Sequence, residues 1–400
     1  MYVTKHELLN YAVSKGIIDL SALETQVEDM ERKRYLEMHR FKIWKDEKGY
    51  WITHLPDEKR TLIKKWTREE LEDVVIKFYR DEEYAPTLRQ VFNEWLDKKL
   101  DYGEIQRQTY DRYKTDFDRF YIPIAEKKIK SIDEEFLEDY CKKTIHDKEL
   151  TAKAWSGMRL ILLGVFKYSK KKGYTNLSIS EFNNELELSK KIFKKRKITA
   201  EEAVFNSSEQ RVILAAIERE KPTLLNLGVI LAFQTGLRAG ELASLKYSDL
   251  EGNVLHVTRT EIRYKDPEDG KTYIYEVRES TKGSDGYRNV IIKDETIALI
   301  KRIRMMNPFT DYLFVKNGKR MRGKAFSDKL VRLCKENNIY PKTIHRCRKT
   351  YCSKLISAGL DEKLITHQMG HVDISTSEKY YHYNIYDSKE TVELITSALG

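Results

Sequence analysis

The chain has 400 residues, 40% of them hydrophobic and 34% charged, and 73 lysines and arginines outnumber 63 acidic residues for a formal net charge of +10. Two or three domains with genuine cores are expected at that length, and the basic balance suits a polyanionic partner. Four cysteines without a C-x-x-C pair or a zinc-type Cys/His spacing exclude a disulfide scaffold and suit a reducing cytoplasm; the longest apolar run, 227–233, is far short of the ~20 residues of a membrane span, and the N-terminus lacks the apolar core of a secretion signal.

Residues 4–40 carry Leu8, Leu9, Ala12, Ile17, Leu20, Leu23 and Val27 at mixed helical spacing, which predicts helix with a break at Gly16. Residues 41–54 alternate apolar and polar around Glu47-Lys48-Gly49 and predict a hairpin, with a third strand over 61–66. Thr67 reads as the N-cap of the next helix, Glu70 closes a capping box, and Leu71, Val74, Val75 and Phe78 share a face. After a turn or linker at 84–87, residues 87–188 are helical throughout. Val91, Trp95 and Leu96 mark one helix, Tyr110, Tyr113, Phe117 and Phe120 a second, and Phe136, Leu137 and Tyr140 a third; the stretch 155–166 marks a long fourth that ends on a cationic turn and Gly173.

Residues 190–197 are the sharpest change in composition: six of the eight are cationic, namely Lys190, Lys191, Lys194, Lys195, Arg196 and Lys197. Such a run is either a solvated tether or a tether that also crosses a phosphate backbone. Beyond it, Ser207 or Ser208 is expected to cap a helix to 217, followed by a buried helix over 224–234 and another from 240. Strands are expected over 254–264, 272–280 and 288–292, with turns at 266–270 and 283–286, and helix from there to the end. The fold class is therefore multidomain and mainly α with small β-sheets. An N-terminal module of a three-stranded sheet and a helix (1–84) precedes a helical bundle (85–189), a basic linker (190–200) and a mixed α+β domain (201–400).

The last two hundred residues carry the chemistry. A phosphodiester gains charge on its non-bridging oxygens in the transition state, and a guanidinium, planar and permanently protonated, is suited to hold them. Arg238 in T-G-L-R-A-G-E-L and Arg348 in H-R-C-R are the candidates, with Glu241 one helical turn after Arg238 and able to fix it. A phenol ionises near pH 10, so Tyr380 as nucleophile needs a positive field from the arginines and a base, for which His345 is placed. His371 can hydrogen-bond a phosphate oxygen, and Lys282, expected on a hairpin tip, can protonate a departing alkoxide. Two arginines, two histidines and a tyrosine suffice to attack a phosphodiester covalently without a metal.

In order and spacing these residues resemble the tyrosine recombinase family, also called phage integrases: the Arg238 box, His345 to Arg348, then Met369-Gly370-His371 with Tyr380 nine residues after the histidine. Lys282 falls at the family's β-hairpin lysine, with Arg288 in the strand after it. The resemblance is strong from Ser207 onward. The stretch 87–188 resembles the family's SAM-like core-binding domain and 41–80 its arm-binding module, where Trp44, Lys48, Tyr50 and Trp51 are candidate DNA contacts. The layout is like integrases of temperate phages and conjugative transposons, and the longer connection at 264–275 is like a β-insertion of some transposon integrases. The resemblance implies a homotetramer on double-stranded DNA at core and arm sites, a 3′-phosphotyrosyl intermediate, an excision factor and a host bending protein as helpers, and neither cofactor nor metal. A type IB topoisomerase shares the pocket, and a DNA-binding regulator that does not cut is a third reading; the separate N-terminal module argues against the first and the full catalytic set against the second.

Overall fold

The computed structural model describes residues 11, 13, 15–17, 19–57, 60–195, 199–279, 287–370 and 383–399. They form two compact units, 1–101 with 116–193 and 102–115 with 194–400.

In the first unit, helix α1 (Leu20–Met38) starts at Asp19, whose carboxylate accepts from the backbone of Ser21 and Ala22. An antiparallel sheet follows in the order β1 (Trp44–Lys45), β2 (Trp51–His54), β3 (Leu62–Lys65). Helix α2 (Arg68–Glu83) begins with the expected Thr67/Glu70 capping box. It packs on α1 and on β2 and β3, so its inward face is wider than one stripe: Leu71, Val75 and Ile76 are buried, while Val74 and Phe78 are half-buried. The bundle consists of α3 (Leu88–Asp101), α4 (Arg107–Tyr121), α5 (Glu134–Asp147), α6 (Ala152–Lys172) and the short α7 (Ile179–Glu185). The boundary between the two units falls inside α4.

The second unit is built around α9 (Leu224–Thr235), which follows α8 (Ser207–Arg219). Apolar on nearly every side, α9 is buried on nearly every side, against α11 (Asp294–Met306), α12 (Gly323–Glu336) and α13 (Ile344–Ser357). The short α10 (Ala239–Ala243) comes directly after it. A three-stranded sheet runs β4 (Leu250–Glu251), β5 (Val254–Val257), β8 (Arg288–Ile291), and β6 (Thr260–Lys265) pairs with β7 (Tyr273–Arg278) as a separate ribbon. The hairpin β9 (Val315–Lys316) to β10 (Lys319–Arg320) precedes α12, and α14 (Glu362–Met369) and α15 (Ser388–Leu399) complete the described residues.

Four local expectations change. The cap of α8 is Asn206 rather than a serine: its side chain accepts from Glu209 N at 2.8 Å and Glu209 returns to Asn206 N at 3.0 Å. The fully buried Lys342 also lands on Glu209, at 2.5 and 2.6 Å, so one carboxylate serves cap and buried cation together. The stretch 254–264 is two strands, because Arg259 is pinned at the bend by Asp249 (2.7 Å) while its carbonyl accepts from Ser244 Oγ (3.0 Å). As a result β7 and β8 belong to different sheets, and the stretch between them that carries Lys282 lies outside the described residues. The run from 293 to the end is not all helix, since Asn317-Gly318 turns β9 into β10 with positive φ at both residues.

Candidate active site

Helix α9 ends at Gly236 in the left-handed conformation (φ 64°), where an added Cβ would lie 2.6 Å from the Tyr351 ring. Only glycine fits both demands. The chain then turns so that Arg238 occupies the N-cap of α10 and Glu241 its third position. Glu241 accepts from Arg238 N at 2.8 Å and from Arg238 Nη1 at 2.7 Å.

The same carboxylate is gripped from the other side. Arg288, the first residue of β8, donates through Nη1 (3.0 Å) and Nη2 (2.8 Å) to the two Glu241 oxygens, and both side chains are almost wholly buried. Burial alone would raise the Glu241 carboxyl. The hydrogen bonds and charge of Arg288, then the charges of Arg238 and Arg348, override it and hold the group at about 2. Arg288 Nε also donates to the carbonyl of Gln368 at 3.2 Å. The Gln368 side chain clips α14 to the edge of β8, accepting from Ile291 N (3.1 Å) and donating to Ile291 O (2.9 Å). Gly370 closes α14 at φ 60°, and a Cβ there would come within 2.7 Å of Arg288 Cδ.

Arg348, on the inward face of α13, is fully buried and donates to the carbonyls of Gly236 (2.9 Å) and Met369. Arg238 Nη2 reaches the carbonyl of Gly370 at 3.4 Å. Both guanidiniums thus rest on carbonyls at the C-terminal end of α14, where the helix dipole favours cations. Arg238 differs in keeping 43% of its side chain exposed. His345 lies one turn before Arg348 on α13 and is exposed at the surface. The protein packed around it, then the charges of Lys349, Arg348, Arg346 and Arg238, push its pKa down to about 4, so the ring is neutral at pH 7.

The structure therefore brings Arg238, Glu241, Arg348 and His345 together. Lys282, His371 and Tyr380 lie outside the described residues, as do Arg196 and Lys197. Lys190, Lys191, Lys194 and Lys195 are exposed. In the first unit Lys48 is exposed. Trp44, Tyr50 and Trp51 are half-buried in packing of the module itself: Trp44 against His54, Tyr50 against Trp66 at 4.1 Å, and Trp51 beneath the Arg68 guanidinium. Arg288 and Gln368 carry no role that the sequence motifs assign. A signal for Arg288 was available: β8 alternates buried and exposed from its first residue, which sets an arginine in the inward row with Val290, and a charge there requires a buried partner.

Residues 203–385 match the model of the phage integrase family. The transposase from transposon Tn916 of Enterococcus faecalis is 26% identical over 210 residues, 48% of this chain and 50% of that protein. The tyrosine recombinase XerD of Oceanobacillus iheyensis is 32% identical over 155 residues, 38% of this chain and 48% of that protein. The chain spans about half the length of the curated relatives it matches. Among solved structures, the Tn1549 transposon integrase in complex with a circular intermediate DNA aligns with a TM-score of 0.58 at 18% identity, covering 78% of this chain and 99% of that one. A lambda integrase from a tetramer bound to a Holliday junction aligns with a TM-score of 0.55 at 14% identity, covering 86% and 95%. These likenesses establish a common fold.

Proposed function

We propose that this chain, whose residues 203–385 match the phage integrase family model, is a member of that family and a site-specific DNA recombinase that cuts and rejoins strands through a 3′-phosphotyrosyl intermediate, for integration and excision of a mobile element. The observation that carries the reading is the buried Arg238–Glu241–Arg288 chain beside Arg348 and His345, inside the matched span. It holds one partly exposed guanidinium rigidly, with a second beside it, which is what stabilising a charged phosphorane requires.

In the proposed reaction the Tyr380 oxygen bonds to the scissile phosphorus and the bond from phosphorus to the 5′ oxygen breaks. Lys282 gives its proton to that oxygen, and His371 hydrogen-bonds a phosphate oxygen. The phenol proton passes to His345. The burial and the neighbouring cations that keep His345 neutral also weaken it as a base; a phosphate set among those cations offsets their charge and raises its basicity when substrate is present. A 5′-hydroxyl from a partner strand reverses the step. The bond energy stays in the phosphotyrosyl link, so the chemistry calls for no nucleotide cofactor.

The wider reading divides the chain into an arm-binding module (1–84), a core-binding bundle (85–189), a basic linker crossing the DNA backbone (190–200) and a catalytic domain (201–400). The working form is a homotetramer on two duplexes in the cytoplasm, assisted by an excision factor and a host DNA-bending protein. A suicide substrate nicked beside the cleavage site tests the core of it: the wild type accumulates a covalent adduct, and Tyr380→Phe binds the same DNA without one. An adduct surviving in that variant would place the nucleophile elsewhere.

A further inference from the structure

Every residue from Asp19 to Met30, the first half of α1, is exposed. Among the described residues the helix is anchored further on, where Tyr35 is buried, Arg32 pairs with Glu72 and Asp73, Arg34 with Glu83, and Glu31 with Arg80. Isolated helices this short are marginal in water, and an amphipathic stretch draws its stability from what covers its apolar face.

That face is well formed. Leu20 (47% exposed), Leu23 (39%), Val27 (50%) and Met30 (73%) follow one another at steps of three, four and three residues, which lines them up on one side of the helix. The alternation of three and four is the seam of a helix that packs against another helix. The charge of the segment is as distinctive. Asp19, Glu24, Glu28, Asp29 and Glu31 lie between positions 19 and 31 with no lysine or arginine among them, in a chain whose net charge is +10.

The two features together select the occupant. A DNA backbone is repelled by Asp19, Glu24, Glu28 and Asp29, with Glu31 already paired to Arg80. A second copy of the same helix brings like charge against like charge on either side of the seam, which costs rather than gains. What fits is an apolar seam flanked by lysines and arginines. We propose that Leu20, Leu23, Val27 and Met30 form the docking seam for a cationic amphipathic helix of a partner protein, with Glu24 and Glu28 pairing with its basic flank. The surface belongs to the first unit alone and stands independently of the catalytic reading.

The test uses the full chain and a fluorescently labelled heptad peptide with leucines at the seam and lysines on both flanks. Fluorescence anisotropy should show saturable binding that weakens with added salt. In Leu23→Gln/Val27→Gln, which alters only exposed side chains, the affinity should fall by more than about tenfold. A lysine peptide with serines at the seam and a leucine peptide with glutamates on its flanks should both fail to bind. Equal affinity for wild type and double variant would overturn the proposal, as would equal binding of the serine peptide. A dimer in sedimentation that dissolves in the double variant would make the occupant a second copy and overturn it as well.

Discussion

Replacing Arg288 by methionine tests whether the buried pair with Glu241 organises the site. The substitution keeps most of the volume and removes the charge. It leaves Glu241, 1% exposed at its side chain, with Arg238 as its remaining hydrogen-bonded cation. Breaking a buried ion pair from one side typically costs about 3–5 kcal/mol. The Glu241 carboxyl, held at about 2 against an ordinary 4.5 despite its burial, points the same way, with Arg288 as the largest of the three arginine contributions. Since Arg238 remains, the low end applies, and Arg288→Met should lose about 3 kcal/mol. The signal must be chosen with care. All five tryptophans, Trp44, Trp51, Trp66, Trp95 and Trp155, lie in the first unit, so their fluorescence does not report on the second; urea unfolding should be followed by far-ultraviolet circular dichroism. The double variant Arg288→Met/Glu241→Leu separates scaffold from chemistry. Removing both charges should restore stability to within about 1 kcal/mol of wild type, yet adduct formation should stay down by about 10²–10³, because Arg238 has lost the carboxylate that aims it. A single variant as stable as wild type, or a double variant that cleaves normally, would refute the reasoning.

Glu241 also sets an acid limit. Its folded pKa of about 2 lies below the ordinary 4.5, so its contribution is complete above 4.5 and is lost as pH falls toward 2; the stability gap between wild type and Glu241→Gln, measured by urea unfolding, should be constant from neutral pH to about 5 and narrow below that. A gap independent of pH down to 3 would contradict the buried, ionised carboxylate. On the DNA side, affinity should fall linearly on a log–log plot against salt, and replacing Lys190, Lys191, Lys194 and Lys195 with glutamine should reduce the slope by up to about 3–4; an unchanged slope would leave the linker as a tether that touches no phosphate.

What the sequence disclosed about the fold follows the range of the forces involved. The Thr67/Glu70 box, the glycine after α6 and the all-apolar run of α9 act within a few residues, and each is found where the pattern puts it. Asn206 displaced the serines as a cap because Glu209 answers it in a capping box and Lys342, far along the chain, binds that glutamate. The Asn317-Gly318 turn was readable by its residues alone but is flanked by strands of only two residues each, too short for alternation to register. The split at Arg259 depends on Asp249 and Ser244, contacts no periodicity can reveal.

The site divides along the same line. Arg238 and Glu241 sit three residues apart, at the cap and third position of one short helix, so local geometry alone brings them together. Arg288 reaches that carboxylate from 47 residues away, and Arg348 reaches the carbonyl of Gly236 from 112. By composition the three arginines are equivalent; burial distinguishes them. Arg288 and Arg348 are dry and committed to acceptors within the protein, and Arg238 alone of the three keeps a face toward solvent. A phosphate approaching from solvent would meet Arg238 first, held by Glu241. Arg348, fully buried and donating to the carbonyls of Gly236 and Met369, adds its fixed charge to that of Arg238 from within the protein.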